Sequence, residues 1–446
     1  MNTIPTVSTF RVLKHRKAIL KNPLPFHHTN FEKLGDTFKV KIGPSGTIVF
    51  TRSPEFIKQI LQKKHKKYHK STLQTKDLAK YIGKGLLTSN GEHWRTHRRM
   101  VQPAFHKKKL EGLLGIMSKA IRKELQHIVS GVPKDVYPLM GDLAFQVVAQ
   151  SLFSRDDIQD EIAELKKITD TNQLMLIREM RQPYLNWWFN LSGAIDRHLG
   201  YSREARQLLN TIIEERIASD EEKDDLLDIL LKARYEDGTP MSRNQLIDEV
   251  LILFTAGHET TANALGFTLF LLAKNEDKQQ KAFENIARVD LQGDDYLEQL
   301  KALSYIKQCV EEGMRLYPPA YYIDRVSIET DEFEEHTIPE NTMLLLAVYE
   351  LHRDPSFWDS PDAFRPERFD PKNKKDFSNY YYPFGAGPRM CVGNNFAMYE
   401  MILTIAHVLR KYRLSTPMKD IEINPLISLK PAEVNIHFAL REPSVS

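Results

Sequence analysis

Pro383-Phe384-Gly385-Ala386-Gly387-Pro388-Arg389-Met390-Cys391-Val392-Gly393 is the stretch from which the rest of this 446-residue chain can be read. It sets one cysteine in a glycine-rich loop, and a helical pattern follows at once. Glycines at 385, 387 and 393 permit backbone angles that a side chain penalises, and they let a flat partner lie close against the chain. A thiolate near the start of a helix is stabilised by the helix dipole and by unpaired N–H groups. Arg389 adds positive charge two residues away. The loop reads as a device that presents one sulfur anion to something flat and positively charged.

The bulk numbers are compatible with that reading. Hydrophobic residues make up 41% and charged residues 27%, enough for a large core. A net charge of +3 makes no global case for nucleic acid. The two cysteines, Cys309 and Cys391, exclude a disulfide framework and a four-cysteine zinc site. The N-terminus lacks the apolar core of a secretory signal. The longest apolar stretch, Val250 to Leu272, is interrupted by His258, Glu259 and Asn263, which argues against a membrane span. A cytoplasmic protein is expected.

Read in order, residues 1–35 are expected to be irregular, with Pro5, Pro23 and Pro25. A hairpin is expected over 38–50, turning at Gly43-Pro44-Ser45-Gly46. Helical periodicity then predicts helices near 53–63, 73–82, 92–106, 110–130, 138–153, 158–180, 200–219, 223–235, 243–274, 276–289 and 299–316. Ser242 and Gln245 form a capping-box signature for the longest. After 316 come short extended segments, a proline-rich meander through Pro355, Pro361, Pro366 and Pro371, a helix near 394–412 and a β-rich end near 420–441. The expected fold class is mainly α with a minor β part (α+β), in one domain spanning 1–446.

The spacing Phe-Gly-x-Gly-x-Arg-x-Cys-x-Gly closely resembles the haem-binding signature of the cytochrome P-450 monooxygenases. The resemblance implies the P-450 fold, with a long central helix over the haem. It makes Cys391 the proximal iron ligand, Arg389 a partner of a haem propionate, and Phe384 and Gly393 part of the cofactor-binding loop. A thiolate ligand pushes electron density onto iron and favours O–O cleavage.

Three further motifs follow in the family's order. Glu312-Gly313-Met314-Arg315 puts an acid and a base on one helix face; alone it would read as a surface pair. With Pro366-Glu367-Arg368-Phe369 it resembles the family's Glu-Arg-Arg network, in which Glu312, Arg315 and Arg368 lock the meander under the haem. Trp94 and Arg98 share a helix face at i, i+4. The resemblance gives both to a propionate, and Arg325 to another propionate-binding position. In Ala256-Gly257-His258-Glu259-Thr260-Thr261, position 262 is Ala, so the zinc motif H-E-x-x-H fails. A threonine hydroxyl can bond the carbonyl four residues back, here Ala256, and such a site often kinks a helix. The resemblance turns this turn into an oxygen pocket over the iron, with Thr260 hydrogen-bonding dioxygen and Glu259 relaying protons. His258 gets no role beyond a helix face.

The implied cofactor is haem b, with O2 as co-substrate and NAD(P)H acting indirectly. Arg95, Arg98, Arg99, Lys107, Lys108 and Lys109 cluster where family members dock electron donors. That suits an acidic ferredoxin or flavodoxin with a ferredoxin reductase. Otherwise a monomer is expected, acting on a small molecule, with no nucleic acid and no membrane span. The implied reaction inserts one oxygen atom into a C–H bond, as hydroxylation or oxidative O-demethylation. The alternative is a non-catalytic haem protein for redox or gas sensing.

Substrate-facing segments map to about 68–87, 171–190, 250–261, 320–325 and the terminal hairpin. Tyr68, His69, Lys70, Arg178, Arg181, Tyr184, Trp187, Trp188, Tyr321, Tyr322 and Asp324 make this set more polar than a fatty-acid or terpenoid pocket needs. A polar methyl ether such as a methylated sugar is therefore an expectation beside the apolar one.

Overall fold

The computed structural model describes residues 4–41, 47–219, 221–373 and 376–442. The first third carries helices α1 (Thr9–Lys21), α2 (Leu24–Leu34), α3 (Pro54–Lys58), α4 (Ala79–Ile82), α5 (Gly91–Val101), α6 (Lys107–Glu124) and α7 (Tyr137–Phe153). The middle carries α8 (Gln159–Arg181), α9 (Asn186–Leu191), α10 (Ala194–Ser219), α11 (Leu226–Lys232) and α12 (Arg243–Lys274). Then follow α13 (Glu276–Ala287), α14 (Tyr296–Ala302), α15 (Ser304–Leu316), α16 (Val348–Leu351) and α17 (Asn394–Lys411). This is the mainly α architecture with small sheets that the periodicity predicts.

Four expectations change. Residues 1–35 are not irregular: α1 and α2 occupy them. Ser8 caps α1 by accepting from Arg11 N–H at 3.3 Å. No residue of α1 is buried, so it has no core-facing apolar stripe to betray it. The predicted 299–316 helix is two, because Leu303 leaves helical angles between α14 and α15. The predicted 53–63 and 73–82 helices pass through π-helical turns at Gln59–Lys63 and Leu73–Leu78. Ser242 does cap α12, accepting from Gln245 N–H at 3.3 Å. The Gln245 amide, however, donates to Lys84 O and Glu249, so the box does not close.

The largest sheet has six strands: β1 (Thr6–Val7), β2 (Thr37–Lys41), β3 (Thr47–Thr51), β4 (Tyr68–His69), β6 (Ile323–Ser327) and β9 (Met343–Leu346), in the order β1-β2-β3-β9-β6-β4. β2 and β3 are the predicted hairpin, pairing Phe38 with Phe50; its turn at 43–46 lies outside the described residues. The short β5 (Lys134–Asp135) joins β10 (Tyr412–Ser415) and β13 (Asn435–Leu440), while β7 (Asp331–Phe333) pairs with β8 (His336–Ile338). β11 (Ile423–Pro425) and β12 (Leu429–Pro431) close the terminal hairpin.

α12 runs through the centre. From Thr261 to Leu272 every residue is buried, as expected of a helix apolar on all sides. α7, α15 and α17 pack around it, and their apolar faces join its own in the main core.

Candidate functional site

The loop before α17 owes its shape to two glycines, Gly385 and Gly387, at φ +70° and +69°. A Cβ on Gly387 would stand 2.1 Å from the backbone oxygen of Leu61. That glycine makes room for the protein's own chain, not for a flat ligand. Gly393, at φ −89°, has an ordinary conformation; a Cβ there would touch Phe105 at 3.7 Å. Cys391 N–H donates to Phe384 O at 2.9 Å, which closes the loop.

The Cys391 side chain is exposed, although protein surrounds it on its other sides. Burial pushes its thiol up, while the Gly393 N–H and the Arg98 charge pull it down. A bound metal would deprotonate it outright. Among the described residues no group of three or more His, Cys, Asp or Glu side chains could hold a metal. A lone thiolate suits an ion whose other ligands arrive on a ring. Cys309, by contrast, is fully buried, with its thiol raised well above the ordinary value.

Positive charge gathers beside this sulfur, and among the described residues no carboxylate forms a salt bridge with Arg389 or Arg325. The Arg389 guanidinium lies over the Trp94 ring at 5.1 Å and donates to Tyr68 O at 2.8 Å. Burial, and then Arg325, bring its pKa down to about 10. Arg325 is buried, also held below its ordinary value by burial, and donates to Asp324 O at 2.7 Å. The Asp324 carboxylate is turned away, accepting from Ser71 N–H and Gln74. A buried cation, Arg325, and a half-buried one, Arg389, with no carboxylate ion-paired to either among the described residues, form a receptor for anions. The residues present thus fit a haem: one thiolate for iron and a cationic pair for propionates. Arg98 Nη1 donates to Met390 O at 2.7 Å and its Nε to Gln102 at 2.9 Å.

On α12 the Thr260 hydroxyl donates to Ala256 O at 2.9 Å, the bond expected four residues back. Thr260 is exposed and Leu253, Ala256 and Gly257 are half-buried, midway along an otherwise buried helix. The helix is continuous through this turn, so the opening owes nothing to a break. Its residues are small, and a Cβ on Gly257 would meet Val148 at 3.1 Å. The Glu259 carboxylate does not turn to Thr260; it accepts from Gln173 on α8. His258 is buried, with Nδ1 on Phe254 O at 2.7 Å and Nε2 3.7 Å from Asp170.

Glu312 and Arg315 are not a surface pair, both being fully buried. Arg315 donates twice to Glu312, at 2.7 and 2.9 Å, and further to His352 O, Pro361 O and Ala363 O. Arg368 reaches Glu312 at 3.1 Å and Ser360 O at 2.8 Å. One carboxylate thus ties α15 to the meander.

Most of the polar side chains expected at the substrate are engaged elsewhere. Tyr68 donates to Asp331 at 2.8 Å, Lys70 to Leu86 O at 2.7 Å and Tyr321 to Leu426 O at 2.7 Å. Tyr322 pairs with His27 at 2.9 Å, and Arg181 donates to Pro425 O at 3.2 Å. Tyr184, Trp187 and Trp188 lie on the outer surface. Gln173, Asp331 and the Tyr68 carbonyl carried no sequence signal, because each acts through a neighbour far away in the chain.

The cytochrome P450 family profile matches residues 5–438. Among curated proteins the chain is 30% identical to a probable cytochrome P450 4s3 of Drosophila melanogaster, over 89% of this chain and 83% of that one. It is 30% identical to a cyclooctatin synthase of Streptomyces melanosporofaciens, over 92% and 89%. A cyclooctat-9-en-7-ol 5-monooxygenase of the same organism is 29% identical, over 90% and 87%. Among solved structures, the cytochrome P450DA heme domain superposes with a TM-score of 0.87 at 22% identity, covering 99% of each chain. The chain belongs to the cytochrome P450 family, and is a monooxygenase that uses haem b and O2 and takes electrons from NAD(P)H through redox partners.

Proposed function

We propose that the enzyme hydroxylates a C–H bond of a largely apolar small molecule. Cys391 is the iron ligand, Arg389 and Arg325 hold the propionates with Trp94 beneath Arg389, and Arg98 steadies the loop through Met390. Haem supplies the oxygen-activating chemistry when bound. The chain's own part is to hold it, exclude bulk water and move protons. Thr260 presents a hydroxyl on the open face of α12 and accepts and passes protons there. Glu259 resupplies it on leaving Gln173.

One observation carries the choice of an apolar substrate: the Tyr68, Tyr321 and Tyr322 hydroxyls, the Lys70 amine and the Asp324 carboxylate, which could have fixed a sugar, are already satisfied within the protein. Turning them to a ligand would leave buried partners unpaired. The Streptomyces relative named for cyclooctat-9-en-7-ol, a hydrocarbon skeleton with one alcohol, is in keeping with this. The test is a screen by the haem absorbance shift on substrate binding. Terpenoid alcohols and fatty acids are expected to shift the spectrum, and methylated sugars to leave it unchanged. A shift with the sugars alone reverses the assignment.

Thr260→Ala is expected to lower coupling severalfold, with reducing equivalents appearing as peroxide. Stoichiometry of NAD(P)H, peroxide and product measures this, and unchanged coupling would remove Thr260 from the relay.

We also propose an acidic ferredoxin or flavodoxin as electron donor. Arg95 is paired with Glu92, and Arg99 with Glu236. The docking charge narrows to Lys107, Lys108 and Lys109, exposed at the start of α6, where the helix dipole disfavours cations. They neighbour the cysteine loop through Phe105, which lies against Phe396 of α17. Reversing the three to Glu is expected to slow reduction by such a donor about tenfold or more at low ionic strength. Stopped-flow reduction across a salt series reads this; a rate indifferent to the reversal would place docking elsewhere.

A further inference from the structure

We infer that His352 is a positioning residue for the cysteine loop: its ring ties the Glu312–Arg315 network to the backbone that holds Cys391. The inference rests on Cys391 being the iron ligand, and names what fixes that sulfur in place.

His352 follows α16 directly and is fully buried. Its backbone is held on both sides. Its N–H donates to Val348 O at 2.9 Å, and its carbonyl accepts from Arg315 Nη1 at 2.8 Å. Its ring lies against that of Tyr381, with centroids 5.2 Å apart and planes tilted by 30°. The Tyr381 hydroxyl in turn donates to Glu311 O on α15 at 2.8 Å.

The far end of the ring meets the loop. His352 Nε2 accepts from Tyr382 N–H at 2.8 Å. A backbone N–H can only donate, so Nε2 holds the lone pair and the ring proton sits on Nδ1. Nδ1 is buried and makes no hydrogen bond among the described residues. Burial, and then the Arg315 and Arg353 charges, lower the pKa of the ring to about 3, while the Arg315 and Met314 carbonyls pull the other way. The imidazole is therefore neutral at neutral pH, with its lone pair free for Tyr382.

From Tyr382 the hydrogen bonds run on to the sulfur's own residue. Pro383 has no N–H to add. Gly385 N–H donates to Tyr382 O at 3.1 Å, and Cys391 N–H to Phe384 O at 2.9 Å. One path thus leads from Glu312 through Arg315, His352 and Tyr382 into the turn that ends at Cys391. A carboxylate at 352 would compete with Glu312 for Arg315. A neutral ring gives an acceptor without that competition. Without an acceptor, the Tyr382 N–H would be left buried and unpaired, because Tyr382 itself is buried.

The test compares three variants of the holoenzyme. His352→Phe keeps a ring against Tyr381 but offers no acceptor. His352→Gln can place an amide oxygen near the position of Nε2. His352→Asn is as polar but too short to reach. Two rates are read: hydrogen exchange in peptides covering 380–392, and loss of the thiolate-type carbon monoxide band on mild warming. The Phe and Asn variants are expected to speed both about tenfold or more, and the Gln variant to stay within about threefold of the unaltered protein. A merely structural role would lower the denaturant midpoint and speed exchange in α15 and α16 as much as in the loop. That pattern overturns the inference, as do equal rates for the Gln and Asn variants, or a haem-loaded Phe variant whose loop exchange stays within about twofold of the unaltered protein. Survival of the thiolate-type band in Cys391→Ala would instead remove the ligand reading. Exchange is read on the loop itself, so it decides the role of His352 in either case.

Discussion

Cys391→Ala is expected to abolish monooxygenase turnover and the thiolate-type absorbance band of the reduced, carbon monoxide-bound protein. The sulfur is the one exposed thiol, since Cys309 is buried and has its thiol raised well above the ordinary value. No other side chain in the loop can supply an anion of that softness. Without it, any haem retained by Arg389 and Arg325 would take a neutral or oxygen ligand and lose the electron push that favours O–O cleavage. Haem content measured alongside separates loss of the ligand from loss of the cofactor. Retention of the thiolate-type band would assign the ligand elsewhere.

Glu312→Ala is expected to destabilise the protein by about 3–5 kcal/mol, because it leaves the Arg315 charge buried without its acid. Arg315 is fully buried, and Arg368 and the Arg365 N–H also converge on Glu312. The loss is a large share of a net stability of about 5–15 kcal/mol. It should appear as a lower denaturant midpoint and as faster haem release, since the meander leads directly into the cysteine loop. Glu312→Gln keeps a hydrogen-bond acceptor and should lose less. A loss below about 1 kcal/mol would mean that the backbone carbonyls around Arg315 suffice to hold it.

The two predictions rest on residues that differ in how visible they are in the sequence. Cys391 stands in a local pattern, and local patterns survive in one dimension. So do the i, i+3 pair Glu312 and Arg315 and the capping serine of α12. Burial is different. As a lone pair Glu312 and Arg315 would read as a surface bridge, and only the packing of α15 under the meander makes them costly to break. The same holds in reverse for the polar substrate set. Tyr68, Lys70, Tyr321 and Tyr322 carry the right chemistry for a sugar, but Asp331, Leu86 O, Leu426 O and His27 claim them first.

α1 was illegible for a related reason. Helix patterns are read from an apolar stripe that faces a core, and α1 has no buried residue. Its largest apolar side chains, Phe10, Leu13 and Leu20, face outward, where periodicity says nothing about their partner.

The sequence alone determined the family signature, the mainly α class, the central helix and the cysteine that defines the chemistry. Each is written in near-neighbour spacing, set by helix geometry and by the conformations that glycine permits. Tertiary structure decided why Gly387 must be glycine, where the buried charges lie, and which polar groups remain for a ligand. Those depend on residues tens to hundreds of positions apart coming within a few ångströms, and no local spacing encodes that.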